Sequence, residues 1–287
     1  MFNLYKVNSC DGKHNDTLDV RFTKICDNDC EFCIDKYDLN NQSDDIKKLI
    51  ETTLLLKKEN IAILGGEPFL KVNNLIKYIK SIRNITKNIY ITTSLPNTIN
   101  LNDNNIKFIL DNIDGLNISL QDINWERNNQ ILQATSKHNR IDLLKDLVLE
   151  YPEIIRVSIN IMRNGIDTKS KLLKAINFLI DIGIKNIKIN ELVKVSGNLY
   201  ISFEEIMNIK LKSAYLFGCE IDVSSIFNTD MKIQLKRTCF KLKPKYISKP
   251  SMLENWKFYI KKRFNLKSDR IVLYENGEYY NGWQQGK

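Results

Sequence analysis

Residues 18–33 read LDVRFTKICDNDCEFC, a β-branched run that empties within two residues into three cysteines, Cys26, Cys30 and Cys33. The run predicts a strand over 18–24, and the same kind of segment returns at 60–64 (NIAIL), 88–94 (NIYITTS), 115–120 (GLNISL), 155–162 (IRVSINIM) and 184–192 (IKNIKINEL). Between these runs, 43–58, 71–83, 102–113, 140–151 and 168–183 carry apolar residues at three- and four-residue spacing and read as helices. Ser43, followed by acidic residues, is the expected start of the first helix, and Gly183 the expected stop of the last.

Strand–helix repeats of about 30 residues imply parallel βαβ units joined by right-handed crossovers. Six such units make an α/β protein, either a partial barrel or a doubly wound sheet. In both, the working site lies at the carboxyl ends of the strands. The cysteines follow the first strand, Gly65-Gly66-Glu67-Pro68 the second, Ser94 ends the third and Gln121 follows the fourth. Four separate features therefore fall on one rim.

Beyond about residue 200 the rhythm weakens. A helix is expected over 202–217 and another over 251–265; CEIDVSS suggests a short strand, and DRIVLYENGEYYNGW a hairpin turning at Asn276-Gly277. This divides the chain into residues 1–204, the barrel with its lead-in, and 205–287, a small α+β extension packed beside it and covering its mouth.

The chain has 287 residues, 43% of them hydrophobic, enough for a sizeable core. Its formal net charge of +9 favours acidic partners, yet no block of five like charges occurs, so nucleic acid is not the expected partner. No run approaches the roughly 18 apolar residues of a membrane helix, and the first residues lack the apolar centre of a signal peptide. A reducing, cytoplasmic setting follows, in which clustered cysteines serve metal or redox chemistry.

Three thiols are an odd number for disulfides and one short of a tetrahedral zinc site, and His14 and His138 stand in no paired spacing. Thiolates four and three residues apart on a loop after a strand can wrap one corner of a four-iron cluster and leave one iron open. CDNDCEFC has the CxxxCxxC form with an aromatic residue before the third cysteine. With GGEPF after the second strand, it resembles the radical S-adenosylmethionine (SAM) enzymes over roughly residues 17–192.

That resemblance implies a partial (β/α)6 TIM-type barrel, a [4Fe-4S] cluster on Cys26, Cys30 and Cys33, and SAM as ligand of the open iron. It further implies an external electron donor of flavodoxin or ferredoxin type. Phe32 then shields the cluster. Gly65, Gly66, Glu67 and Pro68 form the motif whose backbone meets the methionine amino group, the glycines letting the chain pass close to a ligand. Thr92, Thr93 and Ser94 stand near the ribose or methionine, and Ser119 and Gln121 near the ribose hydroxyls. Arg127 and Arg140 are the candidates for a bidentate pair with the SAM carboxylate. Asn160, Asn190 and Glu191 are expected at the mouth, near adenine or substrate.

Cys219 and Cys239, isolated in the C-terminal part, do not suffice for a second cluster, and Asn281 and Trp283 stand where relatives carry cysteine. Either thiol is a candidate hydrogen-atom donor to a substrate radical. The expected activity is hydrogen abstraction from a peptide or small molecule; a glycyl-radical activase and a non-catalytic iron–sulfur sensor or scaffold are the alternatives.

Overall fold

In the computed structural model, which describes residues 16–33, 44–192, 198–211, 220–236 and 271–281, six strands succeed one another in parallel across one sheet. They are β1 (Thr17–Arg21), β2 (Asn60–Leu64), β3 (Asn88–Thr93), β4 (Gly115–Leu120), β5 (Ile155–Ile161) and β6 (Asn186–Glu191). The connecting helices are α1 (Ile46–Leu56), α2 (Val72–Ile82), α3 (Asn104–Asp111), α4 (Trp125–Leu132), α5 (Arg140–Glu150) and α6 (Lys169–Asp181). A one-turn helix, α7 (Phe203–Met207), follows β6.

Alternation fixes which face of the sheet meets the helices. Val20, Ile63, Ile91, Leu116 and Ile155 stand in register across five strands, and all are buried. They share one core with Leu75 and Ile79 of α2, Ile106 and Ile109 of α3, Leu144 and Leu147 of α5, and Leu172 and Ile176 of α6. A slip of one residue would turn that whole row to the opposite face, so burial sets the register. The other face is polar, with Asp19, Arg21, Asn117, Ser119, Ser158 and Lys188.

Helix starts are set by side chains that satisfy exposed backbone N–H groups. Asp45 accepts from Lys48, Asp103 from Asn105, Asn124 from Arg127, Asn139 from Ile141 and Asp142, and Thr168 from Lys171. Asp45, not the expected Ser43, thus opens α1; Ser43 lies outside the described residues. Gly183 follows α6 with a φ of +90°, as a helix stop requires.

The described residues of the C-terminal part add strands at both ends of this sheet. These are β7 (Glu220–Asp222), β8 (Lys232–Lys236), β9 (Ile271–Leu273) and β10 (Tyr279–Asn281). β8 pairs in parallel with β6, and β9 in parallel with β1, giving the order β10-β9-β1-β2-β3-β4-β5-β6-β8-β7. The end strands, β10 and β7, are each one arm of an antiparallel pair, so the sheet stays open. Residues 212–219 and 237–270 lie outside the described residues, and with them the helix expected over 251–265; the helix expected over 202–217 instead stops at Met207, where Asn208 turns to a φ of +53°.

The hairpin at Asn276-Gly277 forms as expected and is anchored through charge. Arg21 of β1 makes a bidentate pair with Glu275, Nε to Oε2 at 2.6 Å and Nη2 to Oε1 at 2.8 Å, and its guanidinium lies 4.2 Å from the Tyr274 ring. Both ionic partners are buried, and the fork geometry compensates part of their desolvation.

Candidate active site

Beyond β1 the chain stays tied to β2 and then turns. Phe22 N–H donates to the Leu64 carbonyl at 2.8 Å, and Glu67 N–H to the Ile25 carbonyl at 2.7 Å. A Cβ on Gly66 would fall 2.4 Å from Ile25 O and 2.5 Å from Thr23 O; one on Gly65 would fall 2.2 Å from Arg21 Cγ. Both glycines adopt positive φ, +52° and +82°. The close approach that demands them is to the lead-in of the cysteine loop itself, a partner the sequence reading had not named. Pro68 then starts a single 3-10 turn, Pro68–Lys71.

Glu67 is buried and joins two strand ends. Its Oε1 accepts from Thr93 Oγ1 at 2.9 Å and Phe69 N at 3.2 Å; its Oε2 accepts from Ser94 N and Ser94 Oγ, each at 2.8 Å. Ser94 Oγ in turn accepts from Asn28 Nδ2 of the cysteine loop at 2.7 Å. The ends of β1, β2 and β3 are thereby one network.

Burial pushes the Glu67 carboxyl up to about 7, against the pull of the bonds from Ser94, Phe69 and Thr93. A raised carboxyl binds its proton more tightly when folded, so its stabilisation is greatest below the unfolded pKa and is lost as pH rises through about 7. Glu67→Gln sets an NH2 group against donors and leaves backbone and hydroxyl groups unmet. It is expected to cost about 2–3 kcal/mol at neutral pH, roughly 5–10 °C in Tm, and to flatten the decline of Tm between pH 5 and 8. Thermal melts across that range read both effects.

The cysteine loop docks on the far end of α4. Asp29 N–H donates to Leu132 O at 3.0 Å, Cys30 Sγ lies 3.4 Å from the same carbonyl, and Thr135 donates to Asp27 O through both N (2.8 Å) and Oγ1 (2.9 Å). Arg140, 1% exposed at the start of α5, closes the bracket. Its Nε donates to Asn129 Oδ1 (2.8 Å), Nη1 to Ser94 O and Leu95 O (3.0 Å each), and Nη2 to Asp27 Oδ2 (3.3 Å) and Asn28 Oδ1 (3.2 Å). Those are all five donors of a guanidinium. The expectation that Arg140 meets a SAM carboxylate is corrected accordingly: protein acceptors use every N–H. Arg127 is exposed on α4 and bonds Asn164 O beyond β5 at 2.6 Å and Gln130 Oε1 at 3.2 Å.

Other expected residues divide by face. Ser119 and Gln121 are joined, Gln121 Nε2 donating to Ser119 Oγ at 2.8 Å, and Asn190 Nδ2 donates to Asn160 Oδ1 at 3.1 Å. Glu191 is corrected. It lies on the helix-facing side of β6, and its Oε1 accepts from Phe203 N at 3.0 Å to hold α7. Thr93 likewise serves Glu67, while Thr92 receives Asn117 Nδ2 at 3.4 Å. Cys219 and Cys239 lie outside the described residues. Sequence reasoning missed Asp27, Asn28, Asn128, Asn129 and Thr135. The Asn124 cap three residues before Arg127 was the available signal for α4.

Two observations test whether the site suits the expected groups. Cys26, Cys30 and Cys33 share one rim loop, Cys26 exposed and the others half-buried; among the described residues no three Cys, His, Asp or Glu side chains converge on one metal ion. A cubane takes one thiolate per iron, and three thiols four and three residues apart on one loop are a donor set of that kind. His138 is engaged by Ser136 Oγ and Leu95 O. Gln121 Oε1, meanwhile, is a buried acceptor with no partner among the described residues, which suits a ribose hydroxyl.

An open, mostly parallel α/β sheet with a polar rim of thiols at its strand ends defines the class of α/β proteins whose site lies at the carboxyl ends of the strands. Within that class, the Radical SAM superfamily model matches residues 20–208, and the chain belongs to this superfamily, whose cofactors are SAM and a [4Fe-4S] cluster. The fold is similar to that of Streptococcus suis SuiB, with a TM-score of 0.62 and 17% identity over 94% of this chain and 62% of SuiB. This chain thus spans less than two thirds of SuiB. SuiB structures include one bound to S-adenosylmethionine and one bound to precursor peptide SuiA. The fold is also similar to that of anSMEcpe with bound AdoMet and Cp18Cys peptide, at a TM-score of 0.59 and 13% identity over 93% of this chain and 73% of that one. No curated protein matches the sequence.

Proposed function

We propose that this chain is a radical SAM enzyme acting on a peptide, with Cys26, Cys30 and Cys33 as the cluster ligands. The observation that carries the reading is the juxtaposition of those thiols with the Gly65–Pro68 turn, locked together by the Glu67 N–H to Ile25 O bond. Held by these three cysteines, a cluster with SAM would supply one-electron reductive cleavage of the sulfonium and, from it, hydrogen-atom abstraction from the substrate.

The protein's own residues bind, orient and exclude water. With SAM bound, the backbone of Gly65–Pro68 would receive the methionine amino group, Arg127 the carboxylate, and Gln121 Oε1 with Ser119 the ribose. Asn160 and Asn190 lie toward adenine or substrate. The electron comes from an external flavodoxin- or ferredoxin-type donor. A peptide substrate is supported by the bound peptides of SuiB and anSMEcpe, and the +9 charge favours an acidic one.

Reconstitution without oxygen, followed by dithionite and SAM, is expected to release 5′-deoxyadenosine and methionine, read by mass spectrometry. Protein that carries the cluster but releases no nucleoside would instead be a cluster-binding scaffold.

A further inference from the structure

We infer that Arg140 is a positioning residue for the iron–sulfur cluster: it fixes the turn between the first two cysteines and, with Asp27, sets the charge felt by the cluster. This inference rests on the cluster assigned under Proposed function. Arg140 reaches the turn directly through Asp27 and Asn28, and Asn28 Nδ2 lies 3.7 Å from Cys26 Sγ. The guanidinium is therefore two contacts from a ligand sulfur. Cys26 and Cys30 both lie within its electrostatic reach, as do Asp27 and Glu67.

The same guanidinium fixes the floor of the site. Ser94 O and Leu95 O receive its Nη1, and buried Leu95 holds a φ of +60°, a strained conformation for a leucine. Arg140 thus binds the cysteine loop and the β3 end, where Ser94 also meets Glu67, to one rigid group. A buried, always protonated cation in that place stabilises an added electron on the cluster, and the Asp27 carboxylate opposes it.

Removing the cation and removing the anion should therefore move the cluster's reduction potential in opposite directions. Fold damage cannot produce that pattern. Wild type, Arg140→Gln, Arg140→Lys and Asp27→Asn are reconstituted without oxygen, assayed for iron and sulfide, and titrated with electron paramagnetic resonance of the reduced cluster as readout. At a fixed poise Arg140→Gln is expected to lower the ratio of reduced to oxidised cluster about tenfold, a fall of about 59 mV for one electron. Asp27→Asn is expected to raise that ratio. Arg140→Lys keeps the charge and loses the fork, so its potential stays near wild type while its cluster content falls.

Equal potentials and equal iron content in wild type and all three variants overturn the inference. If Arg140→Gln does not fold, a potential in Asp27→Asn unchanged or lowered overturns it as well. Wild-type protein that binds no cluster overturns the reading under Proposed function instead.

Discussion

Replacing Cys26, Cys30 and Cys33 together by alanine is expected to remove all sulfide-bridged iron from reconstituted protein and to reduce 5′-deoxyadenosine release to that of a protein-free control. No other described side chains offer a ligand set of this kind. Single replacements should already lose most of the activity, because the three ligands act as a unit and their effects do not add. The apo fold should survive. Cys26 is exposed, Cys30 and Cys33 are half-buried, and Cys30 Sγ meets the α4 end at Leu132 O, 3.4 Å away. A contact of that kind is worth about 1 kcal/mol or less. Apo-protein melts that nearly coincide with wild type, alongside absent iron, separate loss of chemistry from loss of structure. Iron and nucleoside retained in the triple variant would dismiss these thiols as ligands.

How much of this could be read from the chain depends on whether the cause is local. The strands at 60–64 and 115–120 agree with the observed bounds because each is an alternating run closed by a turn residue or a polar neighbour. β1 stops at Arg21, short of the expected Lys24, since Phe22–Ile25 must bend beneath Gly66. α4 escaped notice because WERNNQIL has no continuous apolar face; it is held instead by the Asn124 cap and by Asn128 Oδ1, which accepts from Gln121 N at 2.8 Å. β8 is five residues whose pairing with β6 lies more than 40 positions away, so no local pattern announces it.

Site residues follow the same division. Cys26, Cys30 and Cys33 were visible because their chemistry resides in residue type and spacing. Arg140 was not assignable because its role depends on which acceptors surround it, and Asp27, Asn28, Ser94 and Leu95 come from two other segments of the chain. Glu191 is a matter of strand parity: one residue along from Asn190, it faces helices, where it caps α7. Long-range hydrogen bonding also gives Glu67 its place, since three of its four donors belong to β3 and the residue after it.

Gly66→Ala is expected to be the most damaging single methyl group that can be added to the described structure. Its Cβ would meet Ile25 O at 2.4 Å, Thr23 O at 2.5 Å and Lys24 C at 2.9 Å, all backbone atoms that no rotamer change can withdraw. Left-handed backbone adds about 1–2 kcal/mol for a residue with a Cβ, and overpacking a further 1–3 kcal/mol. The sum, about 2–5 kcal/mol, corresponds to a Tm fall of roughly 5–15 °C. The only relief is for the Thr23–Ile25 segment to move, which breaks the Glu67 N–H to Ile25 O bond and carries Cys26 with it. Stability and cluster content should therefore fall together. Gly183→Ala provides the control. Its φ of +90° imposes backbone strain, but its nearest neighbour is Val148 Cγ1 at 3.6 Å, far from the rim. That variant should lose stability and still load iron as wild type does. If Gly66→Ala likewise loads a full cluster, the cysteine loop does not depend on the β2 turn, and the coupling between the two motifs is lost as an explanation of the site.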